Sequence, residues 1–173
     1  IKEGRLSRDD TLPVSERAWR MQGSKMFVEL HNNIKVEDLI RGVIIQSGND
    51  ACIVLAEALA GSEEAFAEKM TARAKELGLS NSNFMNATGW PDPNHYSTAR
   101  DLAVLAQRLM QDFPEFYHFY SETEFTYHGI KQGNRNPLLY RDIGVDGLKT
   151  GHTDAAGYGL TASAIRDGRR LVL

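Results

Sequence analysis

The stretch that decides the fold runs over residues 36–61 and reads VEDLIRGVIIQSGNDACIVLAEALAG. Its first half places apolar residues at helical spacing behind two acidic residues, which predicts a helix that ends near Ser47-Gly48. A second helix is expected to follow, with Asn49 or Asp50 as its N-terminal cap and Gly61 as its stop. Because this second segment is rich in alanine and apolar nearly all round, it is predicted to be buried.

Two further helices are predicted on the C-terminal side of that stretch. The third opens with Ser62 as its cap and closes at Gly78. The fourth has Ser97 as its cap and ends before Pro114. On the N-terminal side, residues Ile1 to Asn33 show no sustained hydrophobic period and are predicted to form loops and short elements.

Beyond the helices the hydrophobic pattern changes to alternation. Residues 124–128 predict a strand, residues 129–136 hold turn chemistry, and a partner strand is expected to begin at Leu138–Tyr140. The end of the chain is a hairpin signal, since residues 160–165 and 169–173 flank a turn that contains Asp167-Gly168, a pair that readily adopts positive φ. Helices first and antiparallel strands last predict an α+β fold with a helical cluster packed on an antiparallel sheet.

Composition excludes several classes of protein. The chain has 173 residues, a formal net charge of −3 and 42% hydrophobic residues, which suits one globular domain or a piece of one and disfavours general nucleic-acid binding. No apolar run approaches the roughly 20 residues that cross a bilayer, so contact with a membrane is expected only through a segment outside this chain. The single cysteine excludes an internal disulfide and a metal site built from cysteine pairs. No cofactor and no metal are expected.

Two tripeptides carry the chemistry. Ser47-Gly48-Asn49 places a hydroxyl and an amide on the tight turn predicted between two helices. Lys149-Thr150-Gly151 precedes the terminal hairpin, where a glycine allows a ligand to approach the backbone closely. Taken singly, the first is also compatible with an ordinary turn and helix cap, and the second with a surface strand end. Together and in this order they match two of the three motifs of the active-site serine enzymes that act on penicillin.

Further runs of sequence extend the match over nearly the whole chain. They are LIRG at 39–42, QSGNDAC at 46–52, STARDLA at 97–103, NRN at 134–136 and VDGLKTGHT at 145–153. With these runs the chain resembles the D-alanyl-D-alanine carboxypeptidases, the low-molecular-mass penicillin-binding proteins of serine peptidase family S11. The resemblance implies the fold shared by β-lactamases and transpeptidases. It also implies removal of the terminal D-alanine from peptidoglycan stem peptides ending in D-Ala-D-Ala, covalent binding of β-lactam antibiotics, and a location in the bacterial periplasm or at the outer face of the cytoplasmic membrane.

The resemblance also implies roles for single residues. Ser47 would relay a proton toward the leaving D-alanine, and Asn49 would donate its side-chain amide to a substrate carbonyl. Lys149 would lower the cost of deprotonating Ser47 and, with Thr150 and the neighbouring Gly151, would hold the terminal carboxylate. The backbone N–H of His152 would form half of an oxyanion hole, whereas its imidazole is assigned no chemical role. Ser47 and Lys149 are therefore expected to face each other across one cleft.

One family motif is missing. The nucleophile of the family is the serine of Ser-x-x-Lys, and no serine in this chain is followed by lysine at the third position. The other motifs are intact, so we expect residues 1–173 to be a partial penicillin-binding domain that lacks the N-terminal nucleophile region and the C-terminal strands or further domain. On this interpretation the 173 residues alone are inactive.

Two alternative functions stay open. A class A β-lactamase shares the Lys-Thr-Gly logic but usually has Ser-Asp-Asn as its middle motif, and Gly48 counts against it. A non-catalytic peptidoglycan-binding module would fit the missing nucleophile. Fluorescent penicillin labelling separates the three functions, since the carboxypeptidase should form a slowly released adduct.

Overall fold

The computed structural model describes residues 1–173, and its elements follow the predicted order. Five α-helices are formed: α1 Glu16–Arg20, α2 Val36–Ile44, α3 Asn49–Ala60, α4 Glu63–Glu76 and α5 Ala99–Asp112. Seven strands are formed: β1 Thr11–Pro13, β2 Asn33–Lys35, β3 Glu124–Tyr127, β4 Ile130–Gly133, β5 Val145–Thr153, β6 Gly157–Arg166 and β7 Arg169–Val172. Two 3₁₀ helices cover Pro114–Ser121 and Pro137–Tyr140. The α+β prediction is therefore confirmed.

All strand pairs are antiparallel and form three small sheets, β1-β2, β3-β4 and β5-β6-β7. The predicted terminal hairpin is confirmed, since Arg166 pairs with Arg169 around Asp167 and Gly168, which have φ values of 50° and 73°. Positive φ at both central residues gives the turn a twist that matches the strands it joins. This hairpin supports β6, which in turn holds the long strand β5 in register.

Helix α3 lies at the centre of the molecule, as its apolar composition predicted. Ala51, Ile53 and Val54 are at most 1% exposed and belong to the main hydrophobic core, together with Leu39 of α2 and Met26 from the loop that follows α1. Gly61 ends α3 in the left-handed conformation with φ of 83°. No helix combines the length and the apolar composition that crossing a membrane would need.

Of the three predicted helix caps, Ser62 is confirmed and the other two need correction. The cap of α3 is Gly48, not Asn49 or Asp50, because the side chains of both of those residues bond to the distant loop of residues 22–28. The cap of α5 is Thr98, whose hydroxyl accepts from the Asp101 amide at 3.1 Å. The predicted cap Ser97 instead shares a hydrogen bond with another hydroxyl. At both positions the side chain predicted to cap the helix forms hydrogen bonds with residues distant in the sequence instead.

The predicted partner of the first strand is also wrong. Strand β3 pairs with β4, Ile130–Gly133, through a two-residue turn at His128 and Gly129. Both turn residues have positive φ, 45° and 77°, as a two-residue hairpin turn requires. The chain therefore reverses at the start of the polar stretch 129–136 and not after it. Residues Leu138–Tyr140 lie in the second 3₁₀ helix rather than in a strand.

Candidate active site

The turn that carries Ser47 is held rigidly between α2 and α3. Ser47 adopts φ of 55°, in the left-handed region that residues other than glycine seldom occupy. The next amide, that of Gly48, donates to the Gly42 carbonyl at 2.9 Å and closes the turn. A Cβ on Gly48 would lie 3.0 Å from the Met26 amide nitrogen and 2.9 Å from an oxygen of Asp50. A side chain there would crowd both atoms, so packing favours glycine in the Ser-Gly-Asn order independently of any chemistry.

Lys149 reaches this turn from the sheet. It lies on β5 opposite Thr161 of β6, and its Nζ donates to Ser47 Oγ at 2.8 Å and to the Thr150 carbonyl oxygen at 2.8 Å. Burial lowers the pKa of the Lys149 ammonium from 10.5 to about 8, and the nearby Arg135 cation acts in the same direction. The two tripeptides thus meet side chain to side chain, as the sequence analysis expected.

Asn49 points to the other wall of the site. Its side-chain Nδ2 donates to the Gln22 carbonyl at 2.9 Å, and its backbone N–H donates to the Ser24 carbonyl at 2.8 Å. The NH₂ group of an asparagine carries two N–H donors, so the second stays available to a ligand carbonyl while Gln22 accepts from the first. The contact with Gln22 fixes the direction in which that second N–H points.

The remaining candidates follow Lys149 along β5. Thr150 is half-buried, whereas Gly151 and His152 are exposed. Space around Gly151 is open, because a Cβ there would meet no atom within 4 Å, so a ligand can approach its backbone. The His152 ring packs against Tyr158 on β6 with ring centroids 4.1 Å apart. That packing occupies one face of the imidazole, in keeping with its having been assigned no chemical role.

Sequence reasoning gave no role to two residues that border the site. Arg135 donates from Nη1 to Ser24 Oγ and contributes to the low pKa of Lys149. Asn136 is fully buried and donates to the Gly147 carbonyl at 3.0 Å, two residues before Lys149 on the same strand. The only sign of these two residues in the sequence was the polar run at 134–136 between two strands. The sequence alone does not indicate where that run lies in space.

Cys52 follows the Ser-Gly-Asn turn on α3 and contributes no nucleophile. Burial raises the pKa of its thiol to about 12, so the reactive thiolate is absent at neutral pH. No three His, Cys, Asp or Glu side chains are grouped so that they could hold a metal ion. The chemistry available to the site is that of a hydroxyl, an amide and an ammonium group.

A helical layer and an antiparallel sheet that meet at a Ser47–Lys149 contact define the class of penicillin-binding proteins and transpeptidases. The chain belongs to the D-alanyl-D-alanine carboxypeptidase family, peptidase S11, whose model matches residues 1–173. It is 46% identical over 168 residues to the D-alanyl-D-alanine carboxypeptidase DacA of Haemophilus influenzae, and 45% identical over 179 residues to DacC of Escherichia coli K12.

Solved structures agree with this assignment. Penicillin-binding protein 5 of Haemophilus influenzae superposes with a TM-score of 0.95 at 45% identity, covering 99% of this chain and 51% of that one. Penicillin-binding protein D2 of Listeria monocytogenes, in its ampicillin-bound form, gives a TM-score of 0.86 at 32% identity over 99% of this chain and 70% of that one. Among the curated relatives, the match covers 95% of this chain and 43% of the Haemophilus carboxypeptidase, and 99% of this chain and 45% of the Escherichia coli enzyme. The chain thus spans less than half the length of these two relatives.

Proposed function

We propose that residues 1–173 form part of the cleft of a serine-type D-Ala-D-Ala carboxypeptidase that trims peptidoglycan stem peptides. The observation that carries the proposal is the 2.8 Å contact between Lys149 Nζ and Ser47 Oγ, which joins the helical layer to strand β5. It is supported by the rigid turn around Gly48 and by the half-buried ammonium with a lowered pKa. Perturbed titrating groups in a cleft are typical of functional sites.

The proposed reaction proceeds through an acyl-enzyme. A serine hydroxyl from the Ser-x-x-Lys motif, which lies outside these residues, attacks the carbonyl carbon of the penultimate D-alanine. The lysine of that motif takes the proton of the attacking hydroxyl, and the bond from the carbonyl carbon to the terminal D-alanine nitrogen breaks. Ser47 gives its proton to the leaving nitrogen and regains one from that lysine. Water then hydrolyses the ester and restores the serine. Splitting one difficult displacement into two easier steps is the purpose of the covalent intermediate.

Each remaining residue has a part in binding. The Lys149 ammonium and the Thr150 hydroxyl would hold the terminal carboxylate by charge-assisted hydrogen bonds. The Asn49 amide, held by the Gln22 carbonyl through one N–H, would donate its other N–H to a carbonyl of the peptide. Open space at Gly151 would allow the peptide to lie along β5, and the His152 N–H would supply one oxyanion donor, a contribution worth roughly 3 kcal/mol of barrier.

The proposal extends to the setting of the protein. A carboxypeptidase that acts on cell-wall stem peptides works in the bacterial periplasm or at the outer face of the cytoplasmic membrane. β-Lactams would acylate the same serine, a proposal supported by the relative from Listeria monocytogenes in its ampicillin-bound form. Residues 1–173 would be one part of the penicillin-binding domain, completed by the nucleophile region and by further strands.

Labelling with a fluorescent penicillin tests the function. The intact gene product is expected to form a covalent adduct that is released slowly, whereas the 173 residues alone are expected to take up no label. Rapid turnover of the penicillin would favour the β-lactamase alternative, and an intact protein that never labels would favour the peptidoglycan-binding module.

The rate of penicillin acylation at alkaline pH should depend on the protonation of Lys149. The ammonium that binds a carboxylate is lost as pH rises through the folded-state pKa of about 8, so the second-order rate of penicillin acylation is expected to fall above that pH. In the Lys149→Arg variant the guanidinium stays protonated, and the fall near pH 8 should disappear although the overall rate is lower. A fall that persists unchanged in the arginine variant would assign the titration to another group.

A further inference from the structure

The carboxylate of Asp50 is buried among backbone amides next to the Ser-Gly-Asn turn. Asp50 is 1% exposed, and the mechanism proposed above gives it no role. Its Oδ1 accepts from the amides of Met26 at 2.8 Å and Ala51 at 2.9 Å. Its Oδ2 accepts from the amides of Phe27 at 2.8 Å and Val28 at 3.1 Å. Three of the four donors belong to one distant loop, residues 22–28, which we term the 22–28 segment.

The 22–28 segment touches both sides of the candidate site. On one side, the Gln22 and Ser24 carbonyls accept from the side chain and backbone of Asn49. On the other side, the Ser24 hydroxyl accepts from Arg135, and the Lys25 carbonyl accepts from Gln132 at 3.0 Å. The segment therefore joins the Ser-Gly-Asn turn to the polar run at 134–136. Its position sets where the Asn49 amide and the Arg135 guanidinium point.

The segment cannot take this path without support. Phe27 has φ of 69°, a left-handed conformation unfavourable for a bulky side chain, and its ring is 47% exposed, so packing contributes little to holding it. Asp50 supplies the support directly, through the amides of Phe27 and of the residues on either side of it. Strained backbone persists only where its surroundings determine it. The neighbours Met26 and Val28 pack into the hydrophobic core, and the Asp50 carboxylate accepts from the backbone amides of all three residues.

We propose that Asp50 is a positioning residue for the carboxypeptidase reaction. It holds the 22–28 segment so that Asn49 and Arg135 meet the stem peptide in a fixed geometry. The inference rests on the proposed function, because it assigns to Asp50 a part in the same reaction. It acts through other residues and does not itself touch the substrate.

The geometry requires a carboxylate and excludes an amide. Each oxygen of Asp50 accepts from two N–H groups, so both positions must be acceptors. An asparagine would place its own NH₂ against two N–H groups in either orientation of the side chain. Asp50→Asn leaves the side-chain volume almost unchanged and yet replaces two of the four hydrogen bonds by contacts between N–H groups. It therefore tests the carboxylate without creating a cavity.

Asp101 offers a matched control. It is also a buried aspartate in the first turn of a helix, and its Oδ2 accepts from the Asn81 amide at 2.9 Å and the Ser82 hydroxyl at 2.7 Å. It holds a loop in the same manner, but that loop lies ahead of α5 and carries no candidate site residue. Both bonds end on one oxygen, so the carbonyl of an asparagine can keep them, and Asp101→Asn measures what the loss of the negative charge of a loop-holding aspartate does to the fold alone.

The experiment measures fluorescent-penicillin acylation rates for both variants of the intact gene product, each at a fixed interval below its melting temperature. Asp50→Asn is expected to slow acylation at least tenfold and to raise hydrogen exchange at the amides of residues 26–28. Asp101→Asn is expected to stay within twofold of the wild type. Asp50→Glu, which keeps the charge, is expected to recover part of the lost rate, an effect that a role in folding alone would not produce at matched temperatures.

Several outcomes would overturn the inference. Equal acylation rates in the Asp50→Asn and Asp101→Asn variants would overturn it, as would unchanged exchange at residues 26–28. Failure of both Asp50 variants to fold, while Asp101→Asn folds, would assign Asp50 to the fold alone. A wild-type protein that takes up no penicillin would instead refute the proposed function. The wild-type protein is therefore measured before any variant is compared with it.

Discussion

The intact gene product carrying Lys149→Met is expected to react with penicillin about a hundredfold more slowly than the wild type, and yet to melt at a higher temperature. The rate is expected to fall because the variant lacks the ammonium that bonds to Ser47 Oγ at 2.8 Å and that is proposed to hold the carboxylate. Removing one partner of a buried, hydrogen-bonded charge pair typically costs roughly 2–5 kcal/mol of binding, which spans that factor.

The gain in stability follows from the pKa of the same group. Below pH 8 the ammonium is charged in both the folded and the unfolded protein, so the cost of burying it is fully present. Between the folded-state pKa of about 8 and the ordinary value of 10.5, the folded protein releases a proton that the unfolded protein keeps, and stability rises with pH. Methionine carries no charge, so at pH 7 it should stabilise the fold by about 1 kcal/mol after the loss of two hydrogen bonds.

Lys131→Met is the control for this pair of effects. Lys131 lies on β4 with its side chain 61% exposed and pairs with Glu124, an exposed contact that contributes little to stability. Neither the acylation rate nor the melting temperature should change appreciably in that variant. A Lys149→Met protein that keeps its reaction rate, or that melts lower than the wild type, would contradict the role assigned to Lys149.

Gly48→Asp is the second substitution with a large expected effect. It creates the Ser-Asp-Asn order typical of class A β-lactamases on a backbone that has no room for it. The new Cβ would lie 3.0 Å from the Met26 amide nitrogen and 2.9 Å from an Asp50 oxygen, and a second carboxylate would follow it. Overpacking of this kind costs about 3 kcal/mol, and the like charge beside Asp50 adds to the cost.

Thermal unfolding measures the effect of Gly48→Asp. For a cooperative unit of about 150–250 residues, about 3 kcal/mol corresponds to a fall in melting temperature of roughly 10 °C. Gly159→Asp is the matched control, because Gly159 lies on β6 and a Cβ there would meet no atom nearer than 4.0 Å. If both variants melt within a degree of each other, crowding at Gly48 is not what fixes the Ser-Gly-Asn order.

The sequence predicted the elements that local pattern determines. Helices α2 and α3, the glycine stop at Gly61 and the hairpin at Asp167-Gly168 follow from hydrophobic period and turn chemistry. The errors occurred where distant residues take part. Ser97 is diverted from its predicted capping position by the Ser82 hydroxyl, and the early turn at His128-Gly129 precedes a strand too short and too polar to show a period.

The contact between Ser47 and Lys149 was expected only through a family resemblance. Ser47 and Lys149 lie 102 positions apart in the chain, so no local pattern places them together, and the expectation came from the resemblance of two motifs to a family. The contributions of Asp50 and Arg135 were not predictable, because both depend on the path of the 22–28 segment. Sequence pattern predicts no period and no regular element in that segment.

The half-buried Cys52 has a practical consequence. Because the pKa of its thiol is raised to about 12, it reacts slowly with maleimides at neutral pH, and these 173 residues contain no other cysteine. A cysteine introduced at an exposed position would thus be the preferred site for a dye. Fluorophores attached in this way, one on the helical layer and one on the β5–β6 hairpin, would allow the width of the cleft to be followed by energy transfer while an antibiotic enters.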